Sequence, residues 1–169
     1  MKMPFIFTAL MLVIVAPVRA DQPKLAVFDF ELIDTSLQGE MSGPRADEHD
    51  RLMRAGDQLR KGLSDSGRFQ IVDIAPVNTA AHGSNLQACG GCDVTLAGEL
   101  GADLEITGVV QKVSNLILNL SIFLRDVHTE NLLMVASVDM RGNTDESWSR
   151  AMSWLVRNRL LAPNFGKPE

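Results

Sequence analysis

Five segments of the chain carry the apolar runs, or the alternation of apolar and polar residues, that predict β-strands. They cover residues 25–32, 69–74, 104–113, 116–127 and 132–141. In the first segment, alternation predicts one shared buried face made of Ala26, Phe28, Phe30 and Leu32. The last three segments are separated only by the short polar turns at residues 114–115 and 128–131, so we expect them to pair as an antiparallel meander.

Helical periodicity marks the segments between and after these strands. Residues 47–66 place leucines on one stripe among charged residues, which predicts an amphipathic helix. A shorter helix is predicted over residues 92–100, and a long loop over residues 34–45, where glycine and proline interrupt the pattern. Asn143 is predicted to cap the last helix in a capping box with Glu146.

The predicted fold is a single α/β domain of residues 21–162. Its elements run β-α-β, a short helix, a three-stranded antiparallel meander and a C-terminal helix. A strand, a helix and a second strand favour a parallel crossover, whereas the meander is antiparallel. We therefore expect a mixed sheet with helices packed on it. Residues 163–169 are predicted to form a flexible tail.

The first twenty residues are predicted to be a cleaved secretory signal peptide. Lys2 supplies a positive charge, and the apolar run at residues 5–16 is shorter than the roughly 18 residues expected of a membrane-spanning helix. Small or modest side chains at residues 18–20 favour cleavage after Ala20. An amino-terminal membrane anchor is the alternative. The signal peptide predicts a periplasmic protein without stable membrane insertion.

The composition excludes several classes of protein. Hydrophobic residues make up 46% and charged residues 22%, which is typical of a globular chain and not of a disordered one. The net charge of −5 and the absence of tyrosine argue against a nucleic-acid partner. The sequence has no Gly-x-Ser-x-Gly elbow, phosphate loop, dinucleotide fingerprint or calcium loop. We therefore expect a protein without enzymatic activity or cofactor.

The two cysteines lie in one short motif, Cys89-Gly90-Gly91-Cys92. In an oxidising compartment this spacing favours a structural disulfide. A thiol–disulfide redox protein or sensor is the alternative, because Cys92 is predicted near a helix start, where the thiol pKa falls. A c-type haem would need a histidine where Asp93 stands, and a zinc site would need two further ligands, so we expect no metal.

Polar residues near the first meander turn and before the last helix form the candidate interaction surface. It consists of Gln111, Lys112, Ser114, Asn115, Asp139, Arg141, Asn143, Asp145, Trp148 and Arg150. Binding of a partner or ligand is one interpretation. The alternative is that the charged residues form surface ion pairs that hold the strand-to-helix turn. Trp148 also fits the buried stripe of the last helix.

Four segments together resemble a small family of secreted Gram-negative proteins of unknown function. They are KLAVFDFEL (residues 24–32), GADLEITGVVQKVSN (101–115), residues 122–127, and SVDMRGNTDESWSRAMSWLVRNRLL (137–161). The most specific part is DMRGNTDESWSR, at residues 139–150. More distantly, the opening AV-x-x-F strand and the GAD strand before a meander are similar to the amino-terminal domain of TolB and the periplasmic domain of CsgG.

The resemblance implies an α/β domain used for interaction and not for catalysis. Members of the closer family tend to occur beside periplasmic quinoprotein alcohol dehydrogenase systems, which implies a periplasmic protein partner. The leading hypothesis is therefore a non-enzymatic periplasmic interaction or accessory domain. The alternative is a redox protein that uses Cys89 and Cys92.

Overall fold

A six-stranded mixed sheet organises residues 22–166, the part of the chain that the computed structural model describes. The strands are β1 (Lys24–Val27), β2 (Glu31–Asp34), β3 (Gln70–Val72), β4 (Leu104–Ser114), β5 (Ile117–Asp126) and β6 (Leu132–Met140). Their order is β3-β1-β4-β5-β6, and β2 also pairs with β4. β1 is parallel to β3 and β4, and β2 is parallel to β4, whereas β4, β5 and β6 are antiparallel.

Helices cover both faces of this sheet. They are α1 (Leu37–Ser42), α2 (Ala46–Asp65), α3 (Asn78–His82), α4 (Cys92–Glu99) and α5 (Asp145–Leu155). A 3-10 turn (Ala75–Val77) precedes α3, and a π-helical turn (Val156–Leu160) follows α5. The prediction of a mixed α/β sheet with a C-terminal helix is confirmed.

Two hydrophobic cores lie on opposite faces of the sheet. The first core joins α2 and α5 to the meander, and includes Leu59, Leu63, Ile106, Leu120, Ile122, Met152 and Leu155. The second core joins α3 and α4 to β1, and includes Ala26, Phe28, Ala81, Leu86, Leu96 and Ala97. Most of these side chains are aliphatic, and helices on both faces bury the parallel strand β1 completely in its last three residues.

The first predicted strand is interrupted by a bulge, so the prediction that its four apolar residues share one face is wrong. The chain advances four residues from Val27 to Glu31 while β4 advances three from Ile106 to Val109. The extra residue reverses the alternation of side chains. Ala26 and Phe28 therefore lie in the second core, whereas Phe30 and Leu32 pack with the first core.

Phe30 packs directly over Gly108 on β4, and a Cβ atom at Gly108 would overlap the Phe30 ring. We expect Gly108→Ala to lower the free energy of unfolding by about 1–3 kcal/mol, because the ring must move within a packed core. The measurement is urea denaturation. The matched control is Gly98→Ala in α4, where a Cβ atom meets its nearest neighbour at 3.7 Å. A Gly108→Ala variant as stable as the wild type would contradict the packing.

Two local predictions are corrected by the structure. The loop predicted at residues 34–45 contains α1, whose first turn is capped by Ser36: its Oγ accepts from the Gly39 amide at 3.1 Å. The last helix is capped by Thr144 and not by Asn143, since Thr144 Oγ1 accepts from the Ser147 amide at 3.3 Å. The side chain of Asn143 has other hydrogen-bond partners, described below.

The predicted signal peptide lies outside the described residues, and so do the last three residues of the predicted tail. At residues 163–166 the chain turns through left-handed backbone conformations at Asn164 and Phe165, with φ angles of 48° and 54°. Within residues 22–166, no helix is long and apolar enough to cross a membrane.

Candidate functional site

Three segments of the chain meet where β4 turns into β5. The turn itself contains Asn115, whose Nδ2 donates to Gln38 Oε1 on α1 at 2.8 Å. The connection from β2 to α1 joins β4 through the Thr35 amide, which donates to the Lys112 carbonyl at 2.9 Å. The connection from β6 to α5 joins the turn through the Asn143 amide, which donates to the Asn115 carbonyl at 2.9 Å. Part of the candidate surface is thereby brought together.

A buried charged network lies beneath this turn. The side chain of Lys112 is fully buried, and its Nζ donates to Glu48 Oε1 at 2.6 Å and to Asp34 Oδ2 at 2.8 Å. Glu48 is also buried, and the same oxygen accepts from Asn143 Nδ2 at 2.6 Å. Asn143 Oδ1 accepts in turn from Trp148 Nε1 at 2.9 Å. The network joins β2, β4, α2 and the start of α5.

Hydrogen bonds and charges decide which protonation states this network holds. Burial alone would raise the pKa of Asp34, but hydrogen bonds from Lys112 and Ser36 outweigh it and hold that pKa below its usual value. Burial alone would lower the pKa of Lys112, but its two carboxylate partners raise it above the usual value. The ammonium group of Lys112 is therefore charged at neutral pH, and its carboxylate partners compensate that buried charge.

The predicted surface residues have different positions relative to solvent. Lys112 and Trp148 are buried, so they hold the turn from below and cannot contact a partner directly. Five of the others are exposed at or near this end of the sheet or at the start of α5: Gln111, Asn115, Asp139, Arg141 and Asp145. Ser114 and Asn143 are half-buried, and Arg150 is exposed farther along α5.

The predicted charged residues do not form one cluster. Asp139 accepts from Asn119 Nδ2 at 2.9 Å. Asp145 is paired with Arg51 at 2.8 Å and with Arg54 at 3.0 Å, both on α2, whereas Arg150 pairs with Glu146 one turn earlier in its own helix. The interpretation as separate ion pairs that hold the strand-to-helix connection fits Asp145, which ties the start of α5 to α2.

The exposed apolar side chains at this end of the sheet were not predicted from the sequence. Val113, Leu116 and Ile117 are 57%, 72% and 60% exposed. A shallow groove is lined by these three residues together with Gln111, Asn119, Asp139 and Arg141. We call these seven residues the hairpin-end surface. On α1, beside the turn, Leu37 and Met41 are also exposed. The signal that could have revealed the surface is the run of three apolar residues at 116–118, since a strand with one face toward solvent cannot turn three consecutive side chains to the core.

The cysteine motif forms the predicted disulfide between Cys89 and Cys92. Gly90 and Gly91 both have positive φ angles, of 71° and 105°, which glycine adopts without the strain of a side chain. Cys92 is the first residue of α4, and its amide donates to Cys89 Sγ at 3.2 Å. Both cysteine side chains are half-buried.

A buried acid in β4, the strand that follows α4, was also not predicted from the sequence. Glu105 on β4 is fully buried, and neither of its carboxyl oxygens accepts a hydrogen bond. Arg125 Nε lies 3.1 Å from Asp93 Oδ2 and 3.5 Å from Glu105 Oε1. Burial, and then the charge of Asp93, raise the pKa of Glu105 to about 8 against the opposing effect of Arg125. Glu105 is thus mostly protonated at neutral pH.

Two further acids, Asp29 and Glu31, tie the segment around the start of β2 to α2, α3 and the loop after α3. Asp29 pairs with Arg60 and accepts from His82 Nε2 at 2.9 Å, while Glu31 Oε1 accepts from the Leu86 amide at 2.7 Å. Across the described part of the chain, no group of three or more His, Cys, Asp or Glu side chains is arranged to hold a metal ion.

Several solved structures are similar in fold at low sequence identity. The LpoB C-terminal domain from Salmonella enterica is 15% identical with a TM-score of 0.49, over 75% of this chain and 87% of that one. A PelC dodecamer from Paraburkholderia phytofirmans is 15% identical with a TM-score of 0.47, over 90% of this chain and 94% of that one. TolB from Acinetobacter baumannii is 14% identical with a TM-score of 0.46, over 84% of this chain and 29% of that one. The likeness to CsgG stays a prediction.

No curated protein sequence matches the chain. The model of one family does match it, over residues 23–160, which is most of its length. The description of this family reads "Protein of unknown function (DUF2380)". A family of unknown function is what the resemblance in the sequence implied. The chain therefore belongs to the DUF3280 family.

Proposed function

We propose that this protein is a non-enzymatic interaction or accessory domain of the periplasm that binds a protein partner through its hairpin-end surface. The observation that carries the proposal is the exposure of Val113, Leu116 and Ile117 next to one another on the β4–β5 turn. Groups of large apolar side chains on a surface, rimmed by polar ones, mark interaction sites. Here Gln111, Asp139 and Arg141 supply the rim.

The buried network beneath the surface supports the same proposal. Lys112, Glu48 and Asn143 fix the turn to α2 and α5 before any partner arrives. A surface held in one conformation loses less conformational entropy on binding than a mobile one. An edge of exposed apolar residues on a rigid turn therefore suits a partner that docks without large rearrangement.

The family resemblance described above suggests the identity of the partner. We propose a subunit of a periplasmic quinoprotein alcohol dehydrogenase system. The test is co-purification from periplasmic extract of the native host, with the dehydrogenase identified by mass spectrometry. We expect the wild-type protein to retain the dehydrogenase. The double variant Leu116→Ser, Ile117→Ser should retain about tenfold less of it, or still less, since central apolar contacts dominate such interfaces.

A matched control is Leu132→Ser, which also removes an exposed apolar side chain. Leu132 pairs with Arg125, at the opposite end of the meander from the turn. We expect this variant to retain the partner as well as the wild type. If both variants lose the partner equally, or both retain it equally, the proposed surface is contradicted. If a protein other than the dehydrogenase co-purifies and is lost only in the double variant, the surface stands and only the proposed identity of the partner is contradicted.

The periplasmic location rests on the predicted signal peptide, and it has its own test. We expect periplasmic fractions to contain a chain that begins at Asp21. Replacing Ala20 with leucine should block cleavage, because the peptidase requires a small residue before the cut. N-terminal sequencing of both proteins is the measurement. A wild-type chain that keeps Met1 in the membrane fraction would instead support the alternative of an amino-terminal anchor.

A further inference from the structure

The two sulfurs of the Cys89–Cys92 disulfide have different surroundings. Cys92 packs against the second core, at the first residue of α4. Cys89 precedes the helix, and its Sγ accepts from the Cys92 amide at 3.2 Å. Cβ atoms added to Gly90 or Gly91 would have no neighbour within 4 Å, so the two residues between the cysteines face open space. Both cysteines are half-buried, but Cys92 packs against the second core, which shields its sulfur from an incoming thiol more than that of Cys89.

The start of α4 is held in place by contacts other than the disulfide. Asp93, the residue after Cys92, is buried and pairs with Arg125 on β5 at 3.1 Å. Val94, Leu96 and Ala97 are buried, so three further residues anchor the helix. The disulfide closes a loop with a sequence separation of only three, so it constrains the unfolded chain little. Opening the bond would leave α4 intact, with Cys92 at its first residue and Cys89 three residues before it.

The electrostatic surroundings favour a thiolate at Cys89 once the bond is open. An amide at the start of a helix, together with the helix dipole, stabilises a negative charge on sulfur and lowers its pKa. In this structure the Cys92 amide already points at Cys89 Sγ. The acid next to the pair in sequence, Asp93, is paired with Arg125 on β5 at 3.1 Å, and this cation opposes the effect of its negative charge.

We propose that Cys89–Cys92 is a thiol–disulfide exchange site for cysteine thiols of another polypeptide, with Cys89 as the sulfur that is attacked and Cys92 as the leaving and resolving sulfur. A partner thiolate attacks Cys89 Sγ, the bond between the two sulfurs breaks, and Cys92 Sγ leaves as a thiolate that takes up a proton. A second partner thiol then attacks the partner sulfur of the mixed disulfide and releases Cys89. Two partner thiols are oxidised to one disulfide, and the Cys89–Cys92 disulfide is reduced to two thiols.

This activity goes beyond the proposed interaction function, and it uses different residues. A protein whose hairpin-end surface binds no partner could still exchange disulfides at Cys89. Conversely, a purely structural disulfide would leave the interaction function intact. The two proposals therefore succeed or fail in separate experiments.

The test uses single-cysteine variants of the full mature chain, with glutathione disulfide as the probe. Cys92→Ala leaves Cys89 free, and Cys89→Ala leaves Cys92 free, so each is the matched control for the other. At pH 6 we expect Cys89 to form the mixed disulfide about tenfold faster or more than Cys92, because a depressed thiol pKa and open access both favour it. Circular dichroism of each variant, and of Cys89→Ser with Cys92→Ser, establishes that the proteins are folded.

A second measurement concerns the wild-type disulfide itself. Reduced glutathione in about a thousandfold excess over its disulfide should open a measurable fraction of the Cys89–Cys92 bond, as expected of exposed exchanging disulfides. Equal reaction rates of the two single-cysteine variants would overturn the assigned roles. A bond that stays fully oxidised under that excess would overturn the proposed activity and identify the disulfide as structural.

Discussion

Replacing Lys112 with methionine is expected to lower the free energy of unfolding by about 3–5 kcal/mol, the usual cost of removing one partner of a buried ion pair. Methionine fills nearly the same volume, so packing is conserved while the charge is lost. Glu48, which is 1% exposed, would then carry an uncompensated charge inside the protein. Urea denaturation at pH 7 measures the effect.

Two further variants separate the charge effect from other consequences of the substitution. Lys61→Met removes an exposed lysine that is paired with Asp65 on the surface of α2, and should change the stability by no more than about 0.5 kcal/mol. Adding Glu48→Gln to Lys112→Met should recover part of the lost stability, because it removes the uncompensated charge. A Lys112→Met protein as stable as the wild type would show that the network does not hold the turn.

The stability of the protein is expected to fall as the pH rises from about 5 to 9, because of Glu105. Its pKa is raised from 4.5 to about 8 in the folded protein, so the folded state binds a proton more tightly than the unfolded state. The stabilising contribution is complete below the unfolded pKa and is lost as the pH rises through the folded pKa. At 1.36 kcal/mol per pKa unit, the loss is at most about 5 kcal/mol.

The variant Glu105→Gln should remove most of this pH dependence, since an amide does not titrate. Above pH 8 we expect it to be more stable than the wild type. Asp29 and Asp34 have lowered pKa values and lose their stabilising contribution only as the pH falls through the acid range, so they do not produce this slope. Glu99→Gln, an exposed change on α4, is the control that keeps Glu105. Equal slopes in the wild type and Glu105→Gln between pH 5 and 9 would contradict the account.

The meander and the two longest helices could be predicted from sequence because their patterns are local. β4, β5 and β6 begin and end within one residue of the predicted strands, and α2 does the same. β5, β6 and α2 each have one face on a core and one largely toward solvent, which produces a regular pattern, whereas β4 is buried on both faces over residues 105–110. The bulge after β1 left no such pattern, because the pairing that defines it is set by β4, about eighty residues later in the chain.

The candidate site was predictable only in part, for the same reason. The turn between β4 and β5 was predicted to within one residue, at 114–115 against the observed 115–116, because turn residues have a local signature. The burial of Lys112 was not, because its partners Asp34 and Glu48 are 78 and 64 residues away in the chain. A lysine in an alternating strand resembles a solvated residue until tertiary structure supplies its carboxylates. Glu105 was missed for the same reason, since the residues that bury it come from other elements.

Site-specific photocrosslinking in living cells tests the central claim most directly, because it reads the contact at single residues. A photoreactive amino acid placed at Ile117 lies on the hairpin-end surface, and one placed at Leu132 lies at the far end of the meander. The account predicts one discrete crosslinked protein at Ile117 that is absent at Leu132. Absence of any crosslink at Ile117, or the same products at both positions, would contradict it.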